Sequence, residues 1–252
     1  MPAFGYFGKV PAMPDFVFHG LSMRAIDAWS VHLTYWLTDG RKAAAEDWTR
    51  RFLTSPVWRF AVSRNLFGPE CWVGLLAGSA DSVGREFPFI VMMTANFDPA
   101  QSQPVRMLDA RLDPVEELAL AFMEGQASQA ELVKGTNAAA AAIERDLDAD
   151  AAAGATPALI VPHENHDAVC FSHPEGAPQE GNPAAYSWPA ARNNKHAANL
   201  CLWWHEGSED RAADFCVTRG MPPRGSATAF FLGDWEAHGW ARRDAATYLG
   251  KI

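Results

Sequence analysis

Two almost wholly apolar segments, 71–76 and 87–94, constrain the fold more than any other feature of this sequence. A short apolar run bounded by turn residues is typical of a strand that is buried in the centre of a sheet. The two segments are separated by a polar loop over 78–85. Short connections between consecutive strands favour antiparallel pairing. The chain is therefore expected to build a central sheet and to cover it with other elements.

Further strands are expected before these two. Apolar stretches at 4–10 and 15–19 are split by prolines and predict two strands joined by a tight connection. Over 58–62, large apolar residues alternate with Arg59 and Ala61. This alternation predicts a strand with one solvated face.

Three helices are expected in the same half of the chain. Ser22 can cap the first, whose apolar residues recur at helical spacing until Gly40 ends it. A second helix is expected over about 43–53. The third opens at Asp113, because a capping carboxylate followed by Pro114 in the first turn is typical of a helix start.

The order of these elements predicts an α+β fold with a mixed, mainly antiparallel sheet covered by helices, and its N-terminal layout is like that of longin or profilin domains. The alanine-rich segment 136–155 predicts a short exposed helix that passes into a linker. Prolines interrupt the segment that follows, and strands are expected again at 199–205 and 228–233. We therefore divide the chain into an α+β domain over 1–135, this linker, and a smaller, irregular α/β region over 156–252.

The charge and the apolar pattern exclude several classes of function. The chain carries 21 basic and 30 acidic side chains and a formal charge of −9, which repels nucleic acids and anionic lipid surfaces. Its N-terminus lacks the features of a signal peptide, and its most apolar segment, 87–93, is too short to cross a bilayer. Four cysteines without C-x-x-C spacing indicate buried free thiols. We expect a cytoplasmic protein that neither binds nucleic acid nor inserts into a membrane.

One C-terminal segment has the residue types of a metal site. Its candidate ligands are His163, His166, Cys170 and His173. Imidazole and thiolate are ordinary zinc ligands, so a metal-dependent hydrolase is the alternative function. However, the first two histidines stand three apart instead of the four of H-E-x-x-H, and no phosphate-binding glycine motif or serine-hydrolase elbow is found. We therefore expect neither a metal nor another cofactor.

Charged and polar residues flank the expected strands of the first half. Lys9 and Asp15 stand on either side of a proline-containing turn, and the loop over 78–85 holds Ser79, Asp81 and Arg85. A guanidinium can bond bidentately to a carboxylate, so Arg85 paired with Asp81 or Asp15 would fix the loop geometry. Alternatively, these groups form the rim of a partner-binding surface. We give the structural interpretation more weight, because such residues commonly lock loops.

The tryptophans divide into two groups. Trp29, Trp36 and Trp48 fall on apolar helix faces and are expected in the core. Trp203 and Trp204 are adjacent on an expected strand and therefore point to opposite sides of it. One of them can then face solvent, which makes Trp203 a candidate interface anchor.

Three short motifs follow one another in the first half of the chain. The first is G-Y-F-G-K-V-P over 5–11 with D-F-V over 15–17, and the second is V-W-R-F over 57–60. The third is W-V-G-L-L over 72–76 with S-A-D-S-V-G-R-E-F-P over 79–88. In kind and in order these motifs resemble the TagF (ImpM) family of type VI secretion-associated proteins.

The resemblance implies a function. Members of this family are post-translational repressors of type VI secretion that act through the machine's forkhead-associated scaffold protein, Fha, and no catalytic activity is attached to them. The resemblance thus implies a binding protein with Fha as its partner, and not an enzyme. Three residues depart from the family pattern and affect local loop shape: Pro14, Gly78 and Ser82.

Overall fold

The computed structural model describes residues 3–99, 105–153, 167–172, 199–208 and 211–244. Within these ranges the chain forms nine strands and five α-helices. The strands are β1 Gly5–Gly8, β2 Val17–His19, β3 Trp58–Val62, β4 Cys71–Ala77, β5 Phe89–Ala95, β6 Ala168–Ser172, β7 Leu200–His205, β8 Asp214–Arg219 and β9 Ala241–Asp244. The helices are α1 Met23–Ala44, α2 Trp48–Leu53, α3 Val105–Met123, α4 Gln129–Ala153 and α5 Thr228–Leu232.

All the described strands belong to one sheet, in the order β2-β1-β5-β4-β3-β7-β8-β6-β9. Neighbouring strands pair antiparallel, except β6 and β9, which are parallel. The two apolar segments pair as expected, from Cys71 opposite Ala95 to Ala77 opposite Phe89. This arrangement confirms the α+β fold with a mixed, mainly antiparallel sheet. It also joins the two halves of the chain, because β3 pairs with β7.

Helices cover both faces of the sheet. On one face, α3 and α4 bury residues such as Leu112 and Ile143 against β4 and β5. On the other face, α1, α2 and α5 bury aromatic side chains, and Trp29 and Trp36 of α1 are almost fully enclosed. Trp48 is also buried, so the expectation that these three tryptophans lie in the core is confirmed.

The expectation of one solvated face on β3 is wrong. Each residue of β3 is buried, and Arg59 is only 2% exposed. The reason is that α3 lies over the face from which Arg59 projects and supplies carboxylates to it. Alternation of polar and apolar residues indicates solvent only when nothing packs on the polar side.

The first helix begins as expected and ends later. The hydroxyl of Ser22 accepts a hydrogen bond from the N–H of Ala25 at 3.3 Å, so the predicted cap is confirmed. Gly40 does not end the helix, which continues to Ala44. A Cβ at Gly40 would lie 2.2 Å from the indole ring of Trp48. The glycine is therefore a packing residue that lets α1 approach α2, which follows a 3-10 turn at Ala45–Asp47.

The third helix begins earlier than expected. It starts at Val105, so Pro114 lies inside it and not in its first turn. Proline removes one N–H from the helical ladder. One turn away, the carbonyl of Asp109 accepts a hydrogen bond from the guanidinium of Arg59 at 3.2 Å, so the sheet contributes a donor to this part of the helix.

The alanine-rich segment is not a short exposed helix. It belongs to α4, which has 25 residues and packs along α3. The helix buries Leu132, Ala140, Ile143 and Leu147, and the small alanines allow the two helices to approach closely. Because α4 runs from Gln129 to Ala153, it passes through the expected boundary at residue 135. The division into domains stays a prediction.

The C-terminal expectations have mixed outcomes. Strand β7 is confirmed, but the expected strand over 228–233 is wrong, since Thr228–Leu232 is the helix α5. A short apolar run has no period long enough to separate helix from strand. Here the helix packs Phe230 against Trp36 of α1, with ring centroids 5.7 Å apart.

Two expectations about chemistry can be compared with the fold. All four cysteines lie within the described residues, and each is buried and free, as expected. Burial raises the pKa of the Cys201 thiol well above its ordinary value. Among the described residues, no helix combines the length and the apolar character needed to span a bilayer.

Candidate functional site

The charged residues of the first and third motifs meet at the side chain of Asp81, which is fully buried. Its carboxylate lies 3.0 Å from the ammonium of Lys9 and 2.7 Å from Nε of Arg85. It also accepts hydrogen bonds from the backbone N–H groups of Val83, at 3.1 Å, and Arg85, at 2.8 Å. We call Lys9, Asp81 and Arg85 the ionic lock.

The lock determines the protonation state of its carboxyl group. Burial alone would raise the pKa of Asp81. The hydrogen bonds from the N–H of Arg85, from Lys9 and from the Arg85 side chain outweigh that effect and hold the pKa of Asp81 well below its ordinary value. Asp81 is therefore ionised at every physiological pH, and the two cations stay paired with it.

Through this lock the third motif holds the turn that follows β1. The guanidinium of Arg85 donates to the carbonyl of Pro14, and the N–H of Ser82 donates to the carbonyl of Met13 at 2.9 Å. The backbones also approach closely at Gly8, where a Cβ would lie 2.1 Å from the carbonyl oxygen of Pro88. The glycine before Lys9 is required at this contact.

Two other predicted residues have different roles. Asp15 does not pair with Arg85, because its carboxylate accepts the N–H of Phe16 at 2.8 Å in an exposed local turn. Ser79 is buried, and its carbonyl accepts the N–H of Phe87 at 2.9 Å. Its hydroxyl has no hydrogen-bond partner among the described residues. Of the two pairings considered for Arg85, the structure therefore contains the one with Asp81.

A second carboxylate fastens the same loop to the helices, and sequence reasoning missed it. Glu86 accepts hydrogen bonds from Arg41 at 2.9 Å, from Nε1 of Trp48 at 2.7 Å and from the hydroxyl of Thr49 at 2.5 Å. Burial opposes ionisation of Glu86, but these donors lower its pKa. A glutamate next to an arginine in a polar loop gives no indication of partners that are about 40 positions away in the sequence.

The locked turn and loop present apolar side chains to solvent. Phe18 is 61% exposed and Val83 is 67% exposed, while Met13 and Phe16 are each 48% exposed. We call these four residues the apolar rim. Phe16 packs edge-on against Phe87, with the ring centroids 4.9 Å apart. Three rim residues, Met13, Phe16 and Phe18, line one groove. Exposed apolar clusters bordered by polar groups are typical of interaction surfaces.

A further charged cluster is centred on the buried side chain of Arg59 and extends to the surface, where Asp113 and Glu206 are more than half exposed. Its guanidinium approaches Asp109 at 2.6 Å, Asp113 at 2.8 Å, Glu116 at 2.9 Å and Glu206 at 3.5 Å. Burial lowers the pKa of Arg59, but Glu116, Asp109 and Glu206 raise it above its ordinary value. Burial raises the pKa of Glu116 above its ordinary value; Arg59 opposes this effect, and the neighbours Glu206 and Asp113 add to it.

Sequence analysis missed this cluster, although it leaves a signal. Asp109, Asp113 and Glu116 are spaced four and three residues apart, so they share one face of α3. The cluster is a buried junction between the sheet and this helix.

Trp203 lies in the core. Trp203 and Trp204 both have no solvent exposure, so the idea that one of them faces solvent is wrong. The reason is that helices cover both faces of β7. Nε1 of Trp203 donates to Thr218 at 3.2 Å, and Nε1 of Trp204 donates to Asp109 at 2.7 Å.

The expected metal site is only partly within the described residues. His163, His166 and His173 lie outside them. Cys170 is fully buried in β6, with its sulfur 3.6 Å from a carboxylate oxygen of Asp214. Among the described residues, no group of three or more histidine, cysteine or acidic side chains is arranged to hold a metal. The absence of a metal stays a prediction.

Comparison with known families decides the assignment. Residues 5–139 match the model of the TagF N-terminal domain, which is type VI secretion system-associated. The chain belongs to the TagF family. The match includes the ionic lock, the apolar rim and Arg59.

A solved structure is similar to this TagF-family chain as a whole. It is the crystal structure of PA0076 from Pseudomonas aeruginosa PAO1, with a TM-score of 0.59 and 23% sequence identity. The likeness covers 92% of this chain and 95% of that chain, and it shows that the fold is shared over both halves. No curated protein matches the sequence.

Proposed function

We propose that this TagF-family chain is a post-translational repressor of type VI secretion that works by binding a protein and not by catalysis. The partner that we propose is the forkhead-associated scaffold protein Fha. The observation that carries the proposal is the ionic lock, which lies within the family's matched region and fixes the backbone that carries exposed apolar side chains of the rim, namely Met13, Phe16 and Val83.

The apolar rim supports binding more than the charged residues do. Lys9 and Asp81 are buried and paired with each other, so a partner has little access to them. Phe16 and Phe18 are large, exposed aromatic side chains, the first on the turn that hydrogen bonds hold and the second on strand β2, where it is paired with Phe7 of β1. Fixed aromatic groups lose little conformational entropy on binding and are common anchors of interfaces. We therefore place the partner-binding surface at the rim.

Secretion measurements test the function. Overproduction of the chain in a bacterium with an active type VI machine should reduce export of tube and spike proteins while their synthesis stays constant. The double variant Phe18→Ser/Val83→Ser should fold normally, because both side chains are exposed, but should lose repression and binding to purified Fha. Val31→Ser is the matched control, since Val31 is 54% exposed on α1 and outside the rim. Unchanged export at high protein levels would contradict the proposal.

The hydrolase alternative predicts a different result. Metal analysis of the purified chain should then find about one zinc per chain, since a catalytic site holds one ion with three protein ligands. Loss of that zinc and of activity in a His163/His166 double variant would favour the alternative. We expect no stoichiometric zinc.

A further inference from the structure

A polar cleft separate from the apolar rim lies between α2, the segment before β8 and the segment that follows α5. Its volume is about 410 Å³. The arginines among the described residues that line it are Arg50, Arg51, Arg211 and Arg242. The four arginines outnumber the aspartates among the described lining residues, so the cleft has a local excess of positive charge in a chain with a formal charge of −9.

Two of these arginines are held in position by backbone carbonyls. Arg211 donates to the carbonyls of Ala229, at 3.1 Å, and Phe230, at 2.9 Å. Arg51 donates to the carbonyl of Leu232 at 3.1 Å. Since each guanidinium has five N–H donors, both retain donors for a ligand. Their fixed orientation lowers the entropy lost when an anion binds.

The buried carboxylate of the cleft does not cancel this charge. One carboxylate oxygen of Asp214 accepts hydrogen bonds from Arg211 at 3.2 Å and from Nε1 of Trp235 at 3.2 Å, and the same oxygen lies 3.4 Å from Nε2 of His205. The other oxygen lies 3.6 Å from the sulfur of Cys170. Asp214 therefore holds Arg211 in position. Asp234 is the other acidic residue among the described lining residues, so four arginines line the cleft together with two aspartates.

We propose that this cleft binds a phosphate monoester. A guanidinium matches phosphate oxygens with paired hydrogen bonds, and a monoester near neutral pH carries close to two negative charges. Ser208 also lines the cleft, and its hydroxyl can supply a further donor to the ester. The hydroxyls of Thr54 and Ser55 already donate to the carbonyls of Arg50, at 2.9 Å, and Phe52, at 2.8 Å. A carboxylate, with one charge and two oxygens, uses this donor set less completely. The cleft is larger than a phosphate group, so it has room for part of the attached molecule.

The ester has two sources, a phosphorylated side chain of another protein or a small phosphorylated metabolite. Calorimetric titration of the purified full chain with O-phosphoserine, AMP and inorganic phosphate distinguishes them. Tighter binding of O-phosphoserine than of AMP assigns the site to a phosphorylated protein, and the reverse order assigns it to a metabolite. Glutamate is the matched carboxylate probe and is expected to bind at least about tenfold more weakly than the better ester.

Variants of the cleft test the location. Arg50→Gln changes an exposed side chain that pairs with the equally exposed Asp47 at 3.6 Å, so the fold should be kept. We expect Arg50→Gln/Arg51→Gln to weaken ester binding by at least about tenfold. Arg111→Gln, an exposed arginine outside the cleft, should bind like the wild type. Melting curves verify folding. Absence of saturable binding, equal binding of glutamate, or wild-type affinity in both Arg50→Gln and the double variant would overturn the proposal.

Discussion

Replacing Arg59 by methionine tests the buried junction between the sheet and α3. Methionine keeps most of the side-chain volume, so the main change is the loss of the positive charge. Asp109 and Glu116 are then left without their cationic partner, and their side chains are only 15% and 24% exposed. Removing one partner of a buried ion pair costs about 3–5 kcal/mol. We expect Arg59→Met to lower the free energy of unfolding by about this amount at pH 7.

The pH dependence separates an electrostatic effect from a packing effect. Without Arg59, which lowers the pKa of Glu116, burial and the acidic neighbours raise the pKa of this carboxyl group further in the folded protein. When the pKa of a carboxyl group is higher in the folded than in the unfolded protein, its contribution to stability is fully present below the unfolded-state pKa. This contribution is lost as the pH rises through the folded-state pKa. The destabilisation by Arg59→Met should therefore shrink between pH 7 and pH 5, by about 1.4 kcal/mol per pH unit for each proton taken up on folding.

The assay is urea unfolding at the two pH values, followed by circular dichroism. Arg111→Met is the matched control, because Arg111 pairs with Asp146 at the surface, with side chains 45% and 32% exposed. Arg111→Met should lower the free energy of unfolding by at most about 1 kcal/mol at either pH. In addition, Glu116→Gln should recover part of the loss when combined with Arg59→Met, since it removes one unpaired charge. A loss for Arg59→Met below about 1 kcal/mol, or one independent of pH, would refute this reasoning.

Three other variants or conditions test the packing and the lock. Gly40→Ala should destabilise the fold by about 1–3 kcal/mol in chemical unfolding, because a methyl group collides with the rigid ring of Trp48. The control Gly135→Ala should destabilise it less, because its methyl group meets the flexible side chain of Leu118. Burial lowers the pKa of His205 in the folded protein, so the free energy of unfolding should be full above about pH 6.5 and fall as the pH drops below that value. His205→Asn should flatten this dependence of the free energy of unfolding on pH. The same dependence in wild type and variant would contradict this. Asp81→Asn should lower the melting temperature, whereas Asp15→Asn should not, because Asp15 is exposed and bonds within its own turn.

The central part of the fold could be predicted from the sequence because its signals are local. The apolar run over 71–76, which is followed by a polar loop and a second apolar run, predicts β4, and Ser22 caps α1 through a contact three residues away. The apolar residues over 228–233 are compatible with both helix and strand, so the helical state of this segment depends on packing against α1. Likewise, the alanines of α4 do not reveal amphipathicity, although Ala139 and Ala140 are buried.

The same distinction applies to the candidate site. Asp81 and Arg85 are four residues apart in one loop, so their pairing could be anticipated from the sequence. The pairing of Lys9 with Asp81 and the bonds of Glu86 to α1 and α2 connect distant parts of the chain, and only the fold brings them together. Arg59 was misjudged because a charged residue on an alternating strand is normally solvated, and the helix that covers it lies about 50 residues further along the chain.

The structural and functional interpretations of the motif residues are compatible. Lys9 and Asp81 of the lock are buried, so they offer little surface to a partner. The lock instead fixes the backbone that carries Met13, Phe16 and Val83. Loss of the lock should therefore lower both stability and partner binding, because the exposed side chains lose their fixed positions. Loss of rim side chains should lower binding alone. If Asp81→Asn weakened binding while stability and rim geometry stayed unchanged, the carboxylate itself would have to contact the partner, and the surface would have to be placed at the lock.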